Sequence, residues 1–190
     1  MELDMEQSFA ELTEEVRSRL WGKYRGLVTE NDDPQRMGRV RARVPELFGD
    51  LVTPWALPAV PFAGQAHGLV LLPEVGDGVW IEFEAGDGTR PIWTGSWWAR
   101  DEMPVAGGPN TRVLATTHGH QLILDDQEDR IRLVHADGAE LTLTGQDVRV
   151  SIGSTEITLS DGEIELKVGG SRITVSTSGV SVNDGALEVR

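Results

Sequence analysis

From Leu122 onward, apolar residues one position apart recur as pairs: Leu122/Leu124, Ile131/Leu133, Leu141/Leu143, Val148/Val150, Ile157/Leu159, Ile164/Leu166, Ile173/Val175, Val180/Val182 and Leu187/Val189. Period-two alternation puts both members of a pair on the same face of a strand. Between the pairs stand Ala136-Asp137-Gly138, Ser160-Asp161-Gly162, Gly169-Gly170-Ser171 and Asn183-Asp184-Gly185, which are turn signals. The unit is a β repeat of about eight residues. A coil of a one-chain β-helix takes roughly 18 residues or more, so such a unit makes a single face. Two readings stay open on periodicity alone. One is an antiparallel meander, whose apolar face needs a second layer that the rest of the chain does not offer. The other is a triangular prism to which three chains each give one face, with the inward residues filling a common axis. In that reading the candidates for the trimer axis are Leu122, Leu124, Leu141, Leu143, Ile157, Leu159, Ile164, Leu166, Ile173 and Val175.

Ahead of the repeat the texture changes twice. Phe9, Leu12, Val16 and Leu20 recur at helical spacing, Ser8-Phe9-Ala10-Glu11 fits a capping box, and Gly22 is a stop signal. An amphipathic helix is expected over 1–22. One apolar stripe cannot stand alone, so it must pack on a neighbour. From Tyr24 to Trp98 short β runs alternate with Pro and Gly. Val40, Ala42 and Val44 alternate with Arg39, Arg41 and Arg43, which predicts a half-buried strand with three guanidinium groups on its outer side. Further strands are expected at Gly68–Leu72, Val79–Phe83 and Ile92–Trp98. About five strands in a segment of this size point to an OB-like barrel over 23–98. Residues 99–112, with Pro104, Gly107, Gly108 and Pro109, read as a linker, leaving 113–190 for the β repeat.

Composition narrows the function. The 190 residues carry a formal net charge of -14, shared evenly: 11 Lys/Arg against 18 Asp/Glu up to residue 112, and 6 against 13 after it. Without a basic region, nucleic acid is disfavoured as a partner, because cations supply most of the non-specific affinity for phosphate. There are no cysteines, hence no disulfides or thiolate metal sites. The N-terminus is acidic and lacks an apolar signal core, so synthesis in the cytoplasm is expected.

Taken in order, Tyr24-Arg25-Gly26-Leu27-Val28, Asp33-Pro34, Gly38-Arg39-Val40-Arg41-Ala42-Arg43-Val44-Pro45, Trp55-Ala56 and Leu72-Pro73-Glu74-Val75-Gly76-Asp77-Gly78-Val79 form a long set of landmarks. It continues with Phe83, Gly86-Asp87-Gly88, Pro91, Gly95-Ser96-Trp97-Trp98, Thr117-His118-Gly119-His120-Gln121-Leu122 and Asp125-Asp126. The set resembles phage baseplate assembly protein V and the type VI secretion spike proteins. That resemblance implies a homotrimer with an OB-fold collar followed by an intertwined triple-stranded β-helix needle, so the chain is expected to be mainly β, with an N-terminal helix longer than the family's bare collar calls for. It further implies hub, tube and baseplate proteins as partners and a PAAR-type tip protein on the terminal residues Ala186, Leu187, Glu188, Val189 and Arg190. The target membrane is met only transiently, and the location is a virion or contractile injection particle. Some relatives end in a His-x-His metal site at the tip, but Ala186–Arg190 hold no histidine.

Few residues offer chemistry. His118 and His120 have the spacing that puts two imidazoles on one strand face, a possible metal pair, yet they stand at the start of the repeat. No cofactor is expected. Asp125, Asp126, Glu128 and Asp129 lack the glycine and distal glutamate of a calcium loop and read as a solvated turn. Arg39, Arg41 and Arg43 read as an assembly surface, and Trp55, Trp80, Trp93, Trp97 and Trp98 as barrel core or interface. No nucleotide-binding loop, zinc-protease helix or nucleophile elbow occurs, so no catalytic residue is nominated. The expected function is mechanical: a central spike that links hub and tube to a tip and pierces the target envelope. The alternatives are an OB-fold binder of single-stranded nucleic acid and a β-helical polysaccharide-degrading enzyme.

Overall fold

The computed structural model describes residues 2–189, with the side chains of 2–6, Phe9, Leu12, Glu188 and Val189 outside the description. The chain divides between Glu102 and Met103 into two compact units. In the first, helix α1 (Glu2–Ser18) precedes strands β1 (Tyr24–Glu30) and β2 (Arg41–Arg43), the short helix α2 (Pro45–Phe48), β3 (Leu57–Pro58), the hairpin β4 (Ala63–Gly64) and β5 (His67–Gly68), β6 (Gly78–Phe83) and β7 (Pro91–Trp97).

Five of these strands form one sheet in the order β2-β1-β6-β7-β3. Bridges Val40–Ala56 and Arg43–Val52 join the β2 side to the segment entering β3, so the sheet curls back on itself as a small barrel. Register shifts between Val28 and Glu30 and between Val79 and Ile81 bend strands in the way bulges do. The core holds Val28, Val40, Ala42, Val44, Ala56, Val79, Ile81, Phe83 and Trp93. Val40, Ala42 and Val44 are all fully buried, as their alternation with the arginines predicts. Gly78 admits the Trp97 ring, whose atoms lie 2.5 to 2.8 Å from where a Cβ would stand.

Two expectations for this unit need correction. The helix spans Glu2–Ser18, so Ser8 and Glu11 lie inside it and cap nothing; Glu2-Leu3-Asp4-Met5-Glu6-Gln7 holds enough helix formers to carry it upstream. It also stops short of Gly22. Its apolar stripe is only partly describable, since the Phe9 and Leu12 side chains lie outside the described residues. Val16 is 57% exposed, while Leu20, just past the helix, packs on the barrel core and donates its amide to Gly86 O at 2.9 Å. The second correction concerns Gly68–Leu72, where only His67–Gly68 is strand. Leu69, Val70, Leu71 and Leu72 are exposed and pair with no strand: an apolar run is not a strand unless a neighbour offers a ladder. Of the five tryptophans read as barrel core or interface, Trp93 is buried in the core and Trp98 is 65% exposed.

The second unit consists of strands only: β8 (Thr111–Ala115), β9 (Gln121–Asp125), β10 (Arg130–Val134), β11 (Glu140–Thr144), β12 (Asp147–Ile152), β13 (Thr155–Ser160), β14 (Glu163–Val168), β15 (Ser171–Ser176), β16 (Gly179–Val182) and β17 (Leu187–Val189). They form one ten-stranded sheet in sequence order, every strand antiparallel to its neighbours. Hydrogen bonding within the chain is thus that of a meander. The strands begin at Thr111, two residues before the repeat was expected to start.

Candidate assembly face

Cross-strand register decides which side chains share a face, because opposed residues in an antiparallel ladder point the same way. Leu122 faces Leu133, which faces Leu141. Leu141 faces Val150, Val150 faces Ile157, Ile157 faces Leu166, Leu166 faces Ile173, and Ile173 faces Val182. A second column runs parallel to it through Leu124, Ile131, Leu143, Val148, Leu159, Ile164, Val175 and Val180. All ten axis candidates stand in these two columns, on one face.

That face has no cover within the unit. Leu122, Leu124, Ile157, Leu159, Ile164, Leu166, Ile173 and Val175 each leave 36–43% of their surface open. Monomeric soluble proteins rarely expose continuous apolar patches of more than a few hundred Å². A stripe running along the eight strands from β9 to β16 exceeds that scale.

The opposite face is polar and braced by ion pairs. Its middle column runs Val113, Ile123, Arg132, Thr142, Arg149, Thr158, Glu165 and Thr174. Arg132 donates from Nε and Nη2 to the two Glu140 oxygens at 2.6 and 2.7 Å, and the Thr142 hydroxyl donates to Glu140 Oε1 at 2.6 Å. The Arg132 guanidinium, helped by that hydroxyl, holds the Glu140 carboxyl down at about 2. Arg149 reaches Asp147 at 3.2 Å, and Arg172 reaches Glu165 at 3.0 Å. Beneath the charges, Ile123 is only 4% exposed. The face that water can solvate is therefore the polar one, and the face left bare is the apolar one.

β8 was missed at the sequence level because its apolar pair is incomplete. Arg112 stands opposite Leu124 and Leu114 opposite Leu122, and Arg112 turns to Asp126 at 2.9 Å and to Pro109 O. Only the run Val113-Leu114-Ala115 hinted at a strand. The other end of the sheet is β17, with β16 on one side and no strand on its other side among the described residues. Of the nominated tip residues, Leu187 is exposed, and Arg190 lies outside the described residues.

The histidines gather at the β9 end of the apolar face. The His118 and His120 rings are 5.1 Å apart, and a third ring, His135, lies 4.4 Å from His120. Its distance in sequence hid it, although the β9–β10 register brings it opposite. His120 Nδ1 accepts from the Ala136 amide at 3.2 Å, and His135 Nδ1 from the Asp137 amide at 3.1 Å. A neutral ring that accepts at Nδ1 carries its proton on Nε2, so it has no lone pair left for a metal. Among the described residues no group of three histidine, cysteine or carboxylate side chains is placed to hold an ion.

In the barrel unit, the three nominated arginines all find acidic partners in their own chain. Arg39 makes a two-pronged pair with Asp33, from Nη2 at 2.6 Å and from Nε at 3.1 Å. Arg41 reaches Glu30 at 2.9 Å, and Arg43 is 3.9 Å from Asp50. Asp33 also accepts the Gln35 and Met37 amides. These bonds, led by Arg39, hold its carboxyl well below the usual carboxylate range. This cluster fastens the loop between β1 and β2.

Two family models match the chain, one over each unit. Residues 24–98 match the type VI secretion system/phage-baseplate injector OB domain. Residues 111–188 match the phage baseplate V C-terminal trimerisation domain, the segment that carries the bare apolar face. No curated protein matches the chain. A curled five-stranded barrel under the first model and an uncovered one-layer sheet under the second agree with those descriptions, and the chain belongs to the phage baseplate V and type VI secretion spike family of structural baseplate proteins.

Proposed function

We propose that this chain is the central spike of a phage-tail baseplate or contractile injection particle, and that three copies close their apolar faces on one another as a three-walled β prism, the triple-stranded β-helix of the needle. The observation that carries this reading is the pair of apolar columns, unbroken from β9 to β16 and uncovered, in a segment matched as a trimerisation domain. Ten strands stacked at about 4.8 Å make a wall on the order of 43 Å tall, with strands running across the axis. Hydrogen bonds then lie along the axis, and a push along it loads every ladder in turn.

The barrel forms the collar, over 23–98, below hub and tube. Helix α1 is anchored by Arg19, which donates to Ala85 O at 2.8 Å, and by Leu20. Its acidic outer side serves docking on the hub or tube above. Arg39, Arg41 and Arg43 act mainly inside the collar, with Arg43 the most open of the three to a neighbour. At the far end, the open edge of β17 is the site for a PAAR-type tip protein, because an unpaired edge templates strand addition. The spike pierces the envelope by transmitted force and turns over no substrate.

The test is the mass of the full chain by native mass spectrometry, beside Ile157→Asp on the apolar face and Thr158→Asp on the polar one. The expected result is a trimer for the full chain and Thr158→Asp, and a monomer for Ile157→Asp. A full chain that stays monomeric at micromolar concentration would overturn the reading.

A further inference from the structure

Two turns meet where the apolar face begins. One, Thr116 to His120, joins β8 to β9; its Thr116 amide donates to His120 O at 2.9 Å, and the His120 amide donates to Thr116 Oγ1 at 3.1 Å. The other, His135 to Ala139, joins β10 to β11 and closes through the His135 amide on Ala139 O at 2.8 Å. The side chain that ties the first turn to the second is His120, through the Ala136 amide. Gly119 stands at φ 98°, the left-handed backbone that this turn needs and that favours glycine.

We propose that His120 is an acid-sensitive latch on the linker-side end of the trimerisation domain: neutral imidazoles hold the two turns together, and protonation in mild acid releases them. This rests on the three-copy reading above. Imidazole is the side chain that gains its charge between about pH 5 and 8. A proton on His120 Nδ1 occupies the lone pair that accepts the Ala136 amide, and two N–H groups then point at each other. His135 has an outlet, because its Nδ1 lies 3.6 Å from the Asp137 carboxylate, so its cation trades an amide for an ion pair. His120 has none: the rings it faces are His118 and His135, and among the described residues no carboxylate lies within ion-pair distance of it. Glu140 is the one acidic residue lining the hollow beside it, and its carboxylate is tied to Arg132 on the polar face.

Location turns this local bond into a property of the assembly. His120 and His135 line a hollow of about 370 Å³ with Leu133, Leu141, Val150 and Ile152, on the apolar face itself. Three copies closing that face bring their imidazole clusters to one end of a common axis, where each added cation repels the others. Because the open form takes up protons at no such loss, linkage favours closure at higher pH and opening at lower pH.

The experiment is hydrogen exchange on the full chain at about pH 7.5 and about pH 5.5, corrected for intrinsic exchange and read over residues 133–141. Protection of the Ala136 amide, the one His120 accepts, is expected to fall at least about tenfold on acidification. His120→Asn, whose carboxamide oxygen accepts the same amide without titrating, is expected to remove most of that fall. His118→Asn, which leaves the latch bond intact, is expected to keep it. Protection that ignores pH in the full chain overturns the latch, as does an acid response unchanged in His120→Asn. Native mass at pH 7.5 separates the two layers of the argument: a monomer overturns the three-copy reading, whereas a trimer with pH-blind Ala136 overturns the latch alone. Should His120→Asn fail to fold, the full chain still decides, since its Ala136 amide either loses protection or keeps it.

Discussion

Ile157 on β13 and Leu166 on β14 are direct cross-strand partners, and they leave 36% and 38% of their surfaces exposed. In the three-copy reading, side chains that pair so regularly and remain so open are half of an interface. Ile157→Asp puts three unpaired carboxylates on the proposed axis. Burying an unpaired charge costs several kcal/mol, so trimer dissociation is expected to strengthen by about a thousandfold or more. Thr158→Asp, one residue along and on the other face, is expected to leave it within about threefold. Equal effects from the two substitutions, measured by sedimentation equilibrium, would show that the apolar columns do not face the partner copies.

Gly78→Ala is expected to destabilise the barrel and spare the trimer. Its new methyl would enter the Trp97 ring, whose Nε1 donates to Val79 O at 3.2 Å, so ring and ladder must give together. Overpacking of this kind costs about 1–3 kcal/mol. Calorimetry on the full chain should show a lower first transition with native mass unchanged; an unaltered thermogram would mean the ring swings away freely.

Acid should weaken the two units through different carboxylates. Asp33 is held below its ordinary range chiefly by Arg39, and Glu140 at about 2 chiefly by Arg132. For groups depressed in the folded state, the stability they lend is complete above the ordinary carboxylate value of about 4. It is lost as the pH falls through the depressed one. Unfolding midpoints are therefore expected to drop below about pH 4.5. Asp33→Asn should flatten that drop in the barrel and Glu140→Gln in the sheet. An acid limb unchanged in both variants refutes the assignment.

Removing residues 186–190 is expected to leave the trimer and abolish co-purification with a tip protein, because the deletion takes away β17, the strand proposed as the tip's seat. Retention of the tip by such particles would place its seat elsewhere.

Deleting residues 1–18 removes α1 while keeping the Arg19 and Leu20 anchors on Ala85 and Gly86. Trimerisation should persist and incorporation into the baseplate should fail. Particles that assemble normally from this variant would refute a docking role for the helix.

The repeat, its turn residues and the face each apolar pair occupies were legible in the sequence, because a strand's period of two is local and most pairs sit between glycine-bearing turns. The alternation at Val40, Ala42 and Val44 likewise predicted burial, and the ordered landmarks from Tyr24 to Asp126 carried the family. What the sequence could not decide were matters of partnership between distant residues. Leu69–Leu72 looks like a strand and has no ladder to join, while Arg112 hides a strand that β9 recruits. His135 joins His118 and His120 only through the β9–β10 register. The capping box at Ser8 had the right spacing, but helix ends depend on what flanks them, and the flanking residues carried the helix through. Local pattern determines which face a side chain takes; only the pairing of strands determines whom it meets there, because that choice is made by hydrogen bonds between segments that the chain itself keeps apart.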